Sequence, residues 1–113
     1  MSTIDNIYER LKANAERIET PFGDGSDRLI WWCWGEGQNV LMLHGDYGSW
    51  THFIRNIEFL SGRYRLIIPD IPGYAASDLP VLDDIIVDSS KMLCDHLDTI
   101  IGPNGTYDIV GFS

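Results

Sequence analysis

Three short segments that read as strands, each followed at once by a loop rich in glycine or polar residues, most strongly constrain how this chain can fold. They are Val40–Leu43 before His44-Gly45, Leu66–Ile68 before Pro69-Asp70, and Tyr107–Val110 before Gly111-Phe112-Ser113. The first two are continuous apolar runs, typical of strands buried on both faces of a parallel sheet, and the third is a last short strand. Segments with helical spacing separate them, which predicts two successive strand–helix–strand units with right-handed crossovers.

Helical spacing marks the segments between these strands. Apolar residues recur every three or four positions from Trp50 to Leu60, with Ser49 as a candidate N-cap. A longer apolar face runs from Leu82 to Ile101, and Gly102-Pro103 should end it. These patterns predict one helix in each crossover.

The N-terminal part of the chain predicts a further helix and strand. Ile4, Ile7, Leu11 and Ala15 lie on one face of a helix, and Leu29–Trp34 has the composition of a strand. Residues 18–20 fit either the helix end or a short strand. The predicted fold is α/β, a single partial domain with a mostly parallel sheet and helices on both faces. Residues 1–27 would form an N-terminal helix and turn, and residues 28–113 the core.

Charge and hydrophobic pattern exclude several classes of partner. The chain has 8 basic and 17 acidic residues, a net charge of −9, whereas phosphate binding needs clustered Lys and Arg. We therefore expect no nucleic-acid partner. No apolar run approaches the roughly 18 residues of a membrane span, and the N-terminus lacks the pattern of a signal peptide. Cys33 and Cys94 have no metal-ligand spacing and are expected to be buried free thiols, which is consistent with a cytoplasmic protein.

The loops after the three strands should meet, because open parallel sheets bind ligands beyond the carboxyl ends of their strands. Their residues resemble motifs of the α/β-hydrolase family. The segment 40–49, with Trp50 and His52, resembles the His-Gly oxyanion loop after that family's third strand. The segment 65–78 resembles its Asp-x-Pro-Gly-x-x-x-Ser loop after the fourth strand. The segment 107–113 resembles the fifth strand rising into the nucleophile elbow, of which only Gly-x-Ser of Gly-x-Ser-x-Gly is present.

The resemblance implies a serine hydrolase that cleaves an ester, a thioester or a carbon–carbon bond of a small apolar substrate through an acyl-enzyme. Ser113 would be the nucleophile, and the backbone N–H of Asp46 would be one oxyanion donor, since fixed amides stabilise the tetrahedral intermediate. The resemblance also gives His44, Gly45 and Asp70 structural roles near the site. Tyr47, Trp50 and Phe112 are candidates for contact with substrate. No metal or organic cofactor is implied.

The family's catalytic acid and histidine come after the nucleophile, and no residue follows Ser113 here. His52 and His96 are predicted to be non-catalytic. We therefore expect these 113 residues to be the front part of a longer protein, and expect this part alone to be inactive. Dehalogenases and epoxide hydrolases of this fold, with Asp in place of Ser113, are disfavoured.

Two alternatives use the same scaffold, an acyltransferase and a non-catalytic ligand-binding or receptor protein. A nucleotide-binding domain would need a G-x-G-x-x-G or Walker loop, and the chain has neither. The substrate's identity and the oligomeric state stay open.

Overall fold

The computed structural model describes residues 3–22, 27–45, 49–70, 85–103 and 105–111. A helix and three consecutive strands come first, and helices and strands then alternate in the predicted α/β manner. In chain order they are α1 (Thr3–Asn14), β1 (Glu16–Phe22), β2 (Asp27–Trp34), β3 (Gln38–Leu43), a 3-10 helix (Trp50–Phe53), α2 (Ile57–Leu60), β4 (Tyr64–Pro69), α3 (Ile85–Ile101) and β5 (Tyr107–Gly111).

The five strands form one mixed sheet in the order β1-β2-β4-β3-β5. β3 pairs in parallel with β4 and with β5, whereas β2 is antiparallel to both β1 and β4. The two predicted strand–helix–strand units are the parallel part formed by β4, β3 and β5, and the antiparallel β1 and β2 make the whole sheet mixed. The reason is connection length: β1–β2 and β2–β3 are joined by a few residues, and a parallel crossover needs a dozen or more.

Residues 18–20, which fitted either a helix end or a short strand in the sequence, belong to the strand β1. α1 ends at Asn14, and β1 begins at Glu16. Thr20 is buried and Ile18 partly buried, whereas Arg17 and Glu19 are exposed, which is the alternation of a strand. Residues 1–27 therefore contain a strand as well as the predicted helix.

The helix expected after β3 is divided into two short pieces. Ser49 is the N-cap of the 3-10 helix, as predicted, and its side chain accepts a hydrogen bond from the Thr51 N–H. Residues three apart eclipse one another in a 3-10 helix, so Trp50 and Phe53 both face the core. α2 then adds one short turn and buries Ile57.

Helices cover both faces of the sheet, as predicted. On one face, side chains of α1, the 3-10 helix and α2 pack on β2, β3 and β4; this cluster comprises Leu11, Ile30, Trp32, Trp34, Val40, Met42, Trp50, Phe53, Ile57, Leu66 and Ile68. On the other face, α3 packs on the alternate residues of the same strands; this second cluster comprises Leu29, Trp31, Cys33, Leu41, Ile67, Leu93 and Leu97. The strands lack polar alternation because both of their faces are buried.

The two cysteines differ in environment. Cys33 is buried in β2, as predicted, and burial raises the pKa of its thiol to about 11. Cys94 is exposed, contrary to the prediction. It lies on α3 beside Leu93, and Leu93 and Leu97 form the stripe that faces the sheet. An apolar neighbour in sequence therefore did not indicate burial. None of the helices within the described ranges combines the length and apolar character needed to cross a bilayer.

Gly35, in the turn between β2 and β3, should tolerate alanine far less well than Gly102. Both have a positive φ, +83° and +88°, so a side chain costs about 1–2 kcal/mol at either position. A Cβ at Gly35 would also overlap the Tyr64 carbonyl oxygen and come within 2.5 Å of the Ser61 carbonyl oxygen. One at Gly102 meets no atom of the described chain within 4 Å. We expect Gly35→Ala to lower the free energy of unfolding in urea by about 1–3 kcal/mol more than Gly102→Ala; equal losses would contradict this.

β5 should make a polypeptide of these 113 residues self-associate. Within the described ranges β5 pairs only with β3, and Ile109 and Val110 are 60% and 44% exposed. An unpaired strand edge with apolar side chains is a template for another chain. Ile109→Lys should weaken association in sedimentation velocity experiments. Phe59→Lys, at a 78% exposed position on α2, should not, because it leaves the edge unchanged. Association that follows Phe59 instead would exclude β5 as the contact.

Candidate active site

The carboxyl ends of β3, β4 and β5 lie at one edge of the sheet, because the three strands are parallel. His44 and Gly45 follow β3, and Asp70 follows β4. The register places Gly111, the last residue of β5, beside Leu43, the last residue of β3. The three loop starts that the sequence singled out therefore meet at this edge.

Gly45 is held between two imidazole rings. His44 is buried, at 3% exposure, and its Nδ1 lies 2.7 Å from the Gly45 carbonyl oxygen. A carbonyl oxygen can only accept, so Nδ1 of His44 carries the proton and donates it. On the other side, the Gly45 N–H donates to Nδ1 of His52 over 3.1 Å. The two rings meet edge to face, with centroids 5.8 Å apart.

Asp70 joins the carboxyl end of β4 to β2. Its side chain is 1% exposed, and Oδ2 accepts a hydrogen bond of 2.9 Å from Nε1 of Trp32. Its backbone N–H donates to the carbonyl oxygen of Ile30 over 2.8 Å. A buried carboxylate needs such donors, because desolvation without hydrogen bonds is costly.

Trp50, a candidate for substrate contact, is 4% exposed and belongs to an aromatic cluster. Tyr8 stacks on it at 5.3 Å, and Trp34 and Trp32 are tilted against it at 5.2 and 6.2 Å between centroids. Beside this cluster is a cleft of about 580 Å³ lined by Tyr8, Lys12, Ala15, Arg17, Trp32, Ser49, Trp50, Thr51 and Asp70. Trp50 therefore borders a cavity at the edge of the sheet that carries the three loops.

Four of the predicted site residues lie outside the described ranges: Asp46, Tyr47, Phe112 and Ser113. Their roles as oxyanion donor, substrate contacts and nucleophile stay predictions. His96 is half-buried on α3, which packs on the face opposite to the 3-10 helix of His52. Among the described residues, no three His, Cys, Asp or Glu side chains lie close enough together to hold a metal ion.

Two contacts at this edge were missed by sequence reasoning. The hydrogen bond from Gly45 to His52 and that from Trp32 to Asp70 join residues 7 and 38 positions apart. The helical spacing indicated only that His52 lies next to two core residues of its helix, and not that it accepts a hydrogen bond from Gly45. The strand pattern likewise gave no sign of the hydrogen bond between Trp32 and Asp70.

Solved structures with a similar fold include an α/β-hydrolase fold protein from Burkholderia ambifaria, with a TM-score of 0.67 and 25% identity over 81% of this chain. They also include the Cif epoxide hydrolase from Acinetobacter nosocomialis, with a TM-score of 0.75 and 17% identity over 97% of this chain. The described part of the chain has the α/β-hydrolase fold. It spans 33% and 37% of those two proteins, so it corresponds to about a third of an α/β-hydrolase.

Curated relatives of this α/β-hydrolase-fold chain include proteins named as hydrolases. A 2-hydroxy-6-oxo-6-phenylhexa-2,4-dienoate hydrolase from Burkholderia cepacia is 44% identical in a 54-residue alignment that covers 44% of this chain and 19% of the relative. Lipase 3 from a Moraxella species is 33% identical in an 87-residue alignment that covers 73% of this chain and 26% of the relative. The chain thus spans a fifth to a quarter of their lengths. No family model matches the chain.

The bond between Trp32 and Asp70 should stabilise the fold more than the equivalent bond of the neighbouring tryptophan. Trp31 Nε1 donates to the hydroxyl of Thr20 over 2.9 Å, also in a buried setting. A bond to a carboxylate contributes about 1.5–3 kcal/mol and one between neutral groups about 0.5–1.5 kcal/mol. Trp32→Phe and Trp31→Phe remove the same ring atoms from two buried positions, so the comparison keeps the chemical change constant while the acceptor differs. We expect the larger loss of unfolding free energy for Trp32→Phe in urea denaturation at pH 7; the reverse order would show that Asp70 does not depend on this donor.

Proposed function

We propose that the complete protein is a serine-type hydrolase in which Ser113 is the nucleophile. The observation that carries the proposal is the parallel register of β3 and β5, which pairs Leu43 with Gly111. That pairing puts the beginning of the His44-Gly45 loop next to the end of the strand that leads to Ser113.

Chain geometry limits how far the nucleophile can lie from this loop. Ser113 is two residues beyond Gly111, and two residues span at most about 7 Å. We therefore propose that Ser113 lies close to the edge that carries His44 and Gly45. A sharp strand-to-helix turn at this point is the arrangement that exposes a nucleophile above an α/β-hydrolase sheet.

The oxyanion donor we propose is the backbone N–H of Asp46, which follows the clamped Gly45. A tetrahedral intermediate places negative charge on one oxygen, and loss of a single preorganised donor costs about 2.7–4 kcal/mol in the transition state. Since the donor is the main chain, the Asp46 side chain is not required for it. The carboxylate should turn away from the oxyanion, because two unit charges 4 Å apart repel by about 4 kcal/mol at an effective dielectric of 20.

For the substrate we propose a small, fairly apolar molecule with a carbonyl group, cleaved through an acyl-enzyme. The similarity to a lipase is consistent with an ester substrate. The dienoate hydrolase relative is named for an acid with a ketone and no ester group, which is consistent with the carbon–carbon alternative. A carbonyl carbon that accepts the serine oxygen is common to both. The acid and histidine that would activate the serine lie outside these 113 residues.

The test uses the complete gene product that contains these residues. We expect it to hydrolyse p-nitrophenyl acetate and to react covalently with an alkyl fluorophosphonate, with the added mass located on Ser113 by peptide mass spectrometry. Ser113→Ala should lower kcat at least about 10³-fold, since the serine works as a unit with its base. Ser61→Ala is the control, because the hydroxyl of Ser61 only donates to the Glu58 carbonyl oxygen at a helix end.

Three outcomes would contradict the proposal: turnover that survives Ser113→Ala, a label on another residue, or turnover by the 113-residue polypeptide alone that Ser113→Ala removes. Adding an alcohol acceptor distinguishes the acyltransferase, because a transferase would form a new ester in preference to the free acid.

A further inference from the structure

We propose that His52 is a positioning residue that, together with His44, sets the direction of the oxyanion donor. The inference rests on the proposed function. His52 does not touch the reacting atoms in this scheme. It acts through Gly45, whose N–H donates to Nδ1 of the His52 ring over 3.1 Å.

The backbone of Gly45 needs hydrogen bonds to restrain it, because glycine has no side chain that would do so. Glycine adopts a wide range of backbone angles at little cost, so its own side chain does not restrain the loop. The restraint has to come from its polar groups. Both are held: the carbonyl oxygen by Nδ1–H of His44 at 2.7 Å and the N–H by His52. Two successive peptide groups are thereby fixed at the end of β3.

The second of these peptide groups contains the proposed donor. The Gly45 carbonyl and the Asp46 amide belong to one planar unit, and in a trans peptide the C=O and N–H bonds point in opposite directions. A hydrogen bond to the carbonyl oxygen therefore also orients the Asp46 N–H. His52 fixes the preceding peptide group, so that the unit cannot rotate as a whole about the bonds of Gly45.

The tautomer of His52 follows from its partner. An N–H group can only donate, so Nδ1 of His52 must present a lone pair, and the ring proton of the neutral side chain lies on Nε2. His44 has the opposite arrangement, with its proton on Nδ1. Histidines that share an edge-to-face contact at 5.8 Å thus present one donor and one acceptor to the same glycine.

The 3-10 helix fixes the backbone of His52, whose side chain is exposed. His52 lies in the 3-10 helix between two buried residues, Trp50 and Phe53, at 4% and 6% exposure. The helix begins at the Ser49 cap, and the His52 N–H donates to the Ser49 carbonyl oxygen over 3.1 Å. Rigid secondary structure of this kind is what a precise site requires of its supporting residues.

The experiment compares His52→Asn, His52→Leu and a control, His96→Asn, in the complete gene product. An asparagine side chain places its amide oxygen near the position of Nδ1 and keeps the acceptor, whereas leucine removes it. We expect His52→Leu to lower kcat for p-nitrophenyl acetate about 10- to 100-fold, less than the 10²–10³-fold loss of a whole oxyanion donor. KM should change little, since the interaction is made only in the transition state. His52→Asn should recover most of kcat, and His96→Asn should match the unmodified protein.

A second measurement needs neither a variant nor activity. In protein labelled with ¹⁵N at glycine and histidine, NMR should show a scalar coupling between the Gly45 amide nitrogen and Nδ1 of His52. The ring ¹⁵N shifts should show the proton of neutral His52 on Nε2. Absence of the coupling, a wild-type kcat for His52→Leu, or equal losses for the Leu and Asn variants would each overturn the inference. Failure of the proposed function is separate: it would appear as activity that does not depend on Ser113.

Discussion

The parallel pairing of β3 with β4 on one side and β5 on the other is the constraint on which the rest of the structure depends. It brings three strand ends to one edge. The side chains of β3 pack into two different cores: Val40 and Met42 belong to one cluster, and Leu41 belongs to the other. A one-residue slip would exchange these faces and would also change which loop starts become neighbours.

Three tryptophans of β2 connect the parallel strands to the rest of the described chain. Their rings fill the two faces of the sheet, and each indole N–H donates to a different element: Trp31 to Thr20 in β1, Trp32 to Asp70 after β4, and Trp34 to the Leu11 carbonyl oxygen in α1. A buried tryptophan is stable when its polar atom finds such a partner. β2 thereby joins the antiparallel half of the sheet and the first helix to the edge that carries the proposed site.

At the edge that carries the three loop starts, Gly45 combines a flexible residue type with a restrained backbone. Glycine allows the backbone to approach a reacting group closely, but a freely rotating amide would have to be oriented at the moment of reaction. Two imidazoles hold Gly45 from both sides, so that in the proposed site the amide would already be oriented in the folded protein. Preorganisation of this kind is what makes backbone donors effective in catalysis.

The sequence by itself determined the α/β class, the positions of β2 to β5, the Ser49 cap and the three loops after the parallel strands, because these follow from short-range patterns of burial and turn chemistry. It also predicted that His44, Gly45 and Asp70 lie near one site, and these residues follow β3 and β4 at the same edge of the sheet. Only the tertiary structure decided that β1 exists as an edge strand, that Cys94 is exposed, and that His52 accepts from Gly45. Each of these features depends on which other element packs against the residue in the folded protein. The periodicity of one segment does not show which other elements will lie beside it.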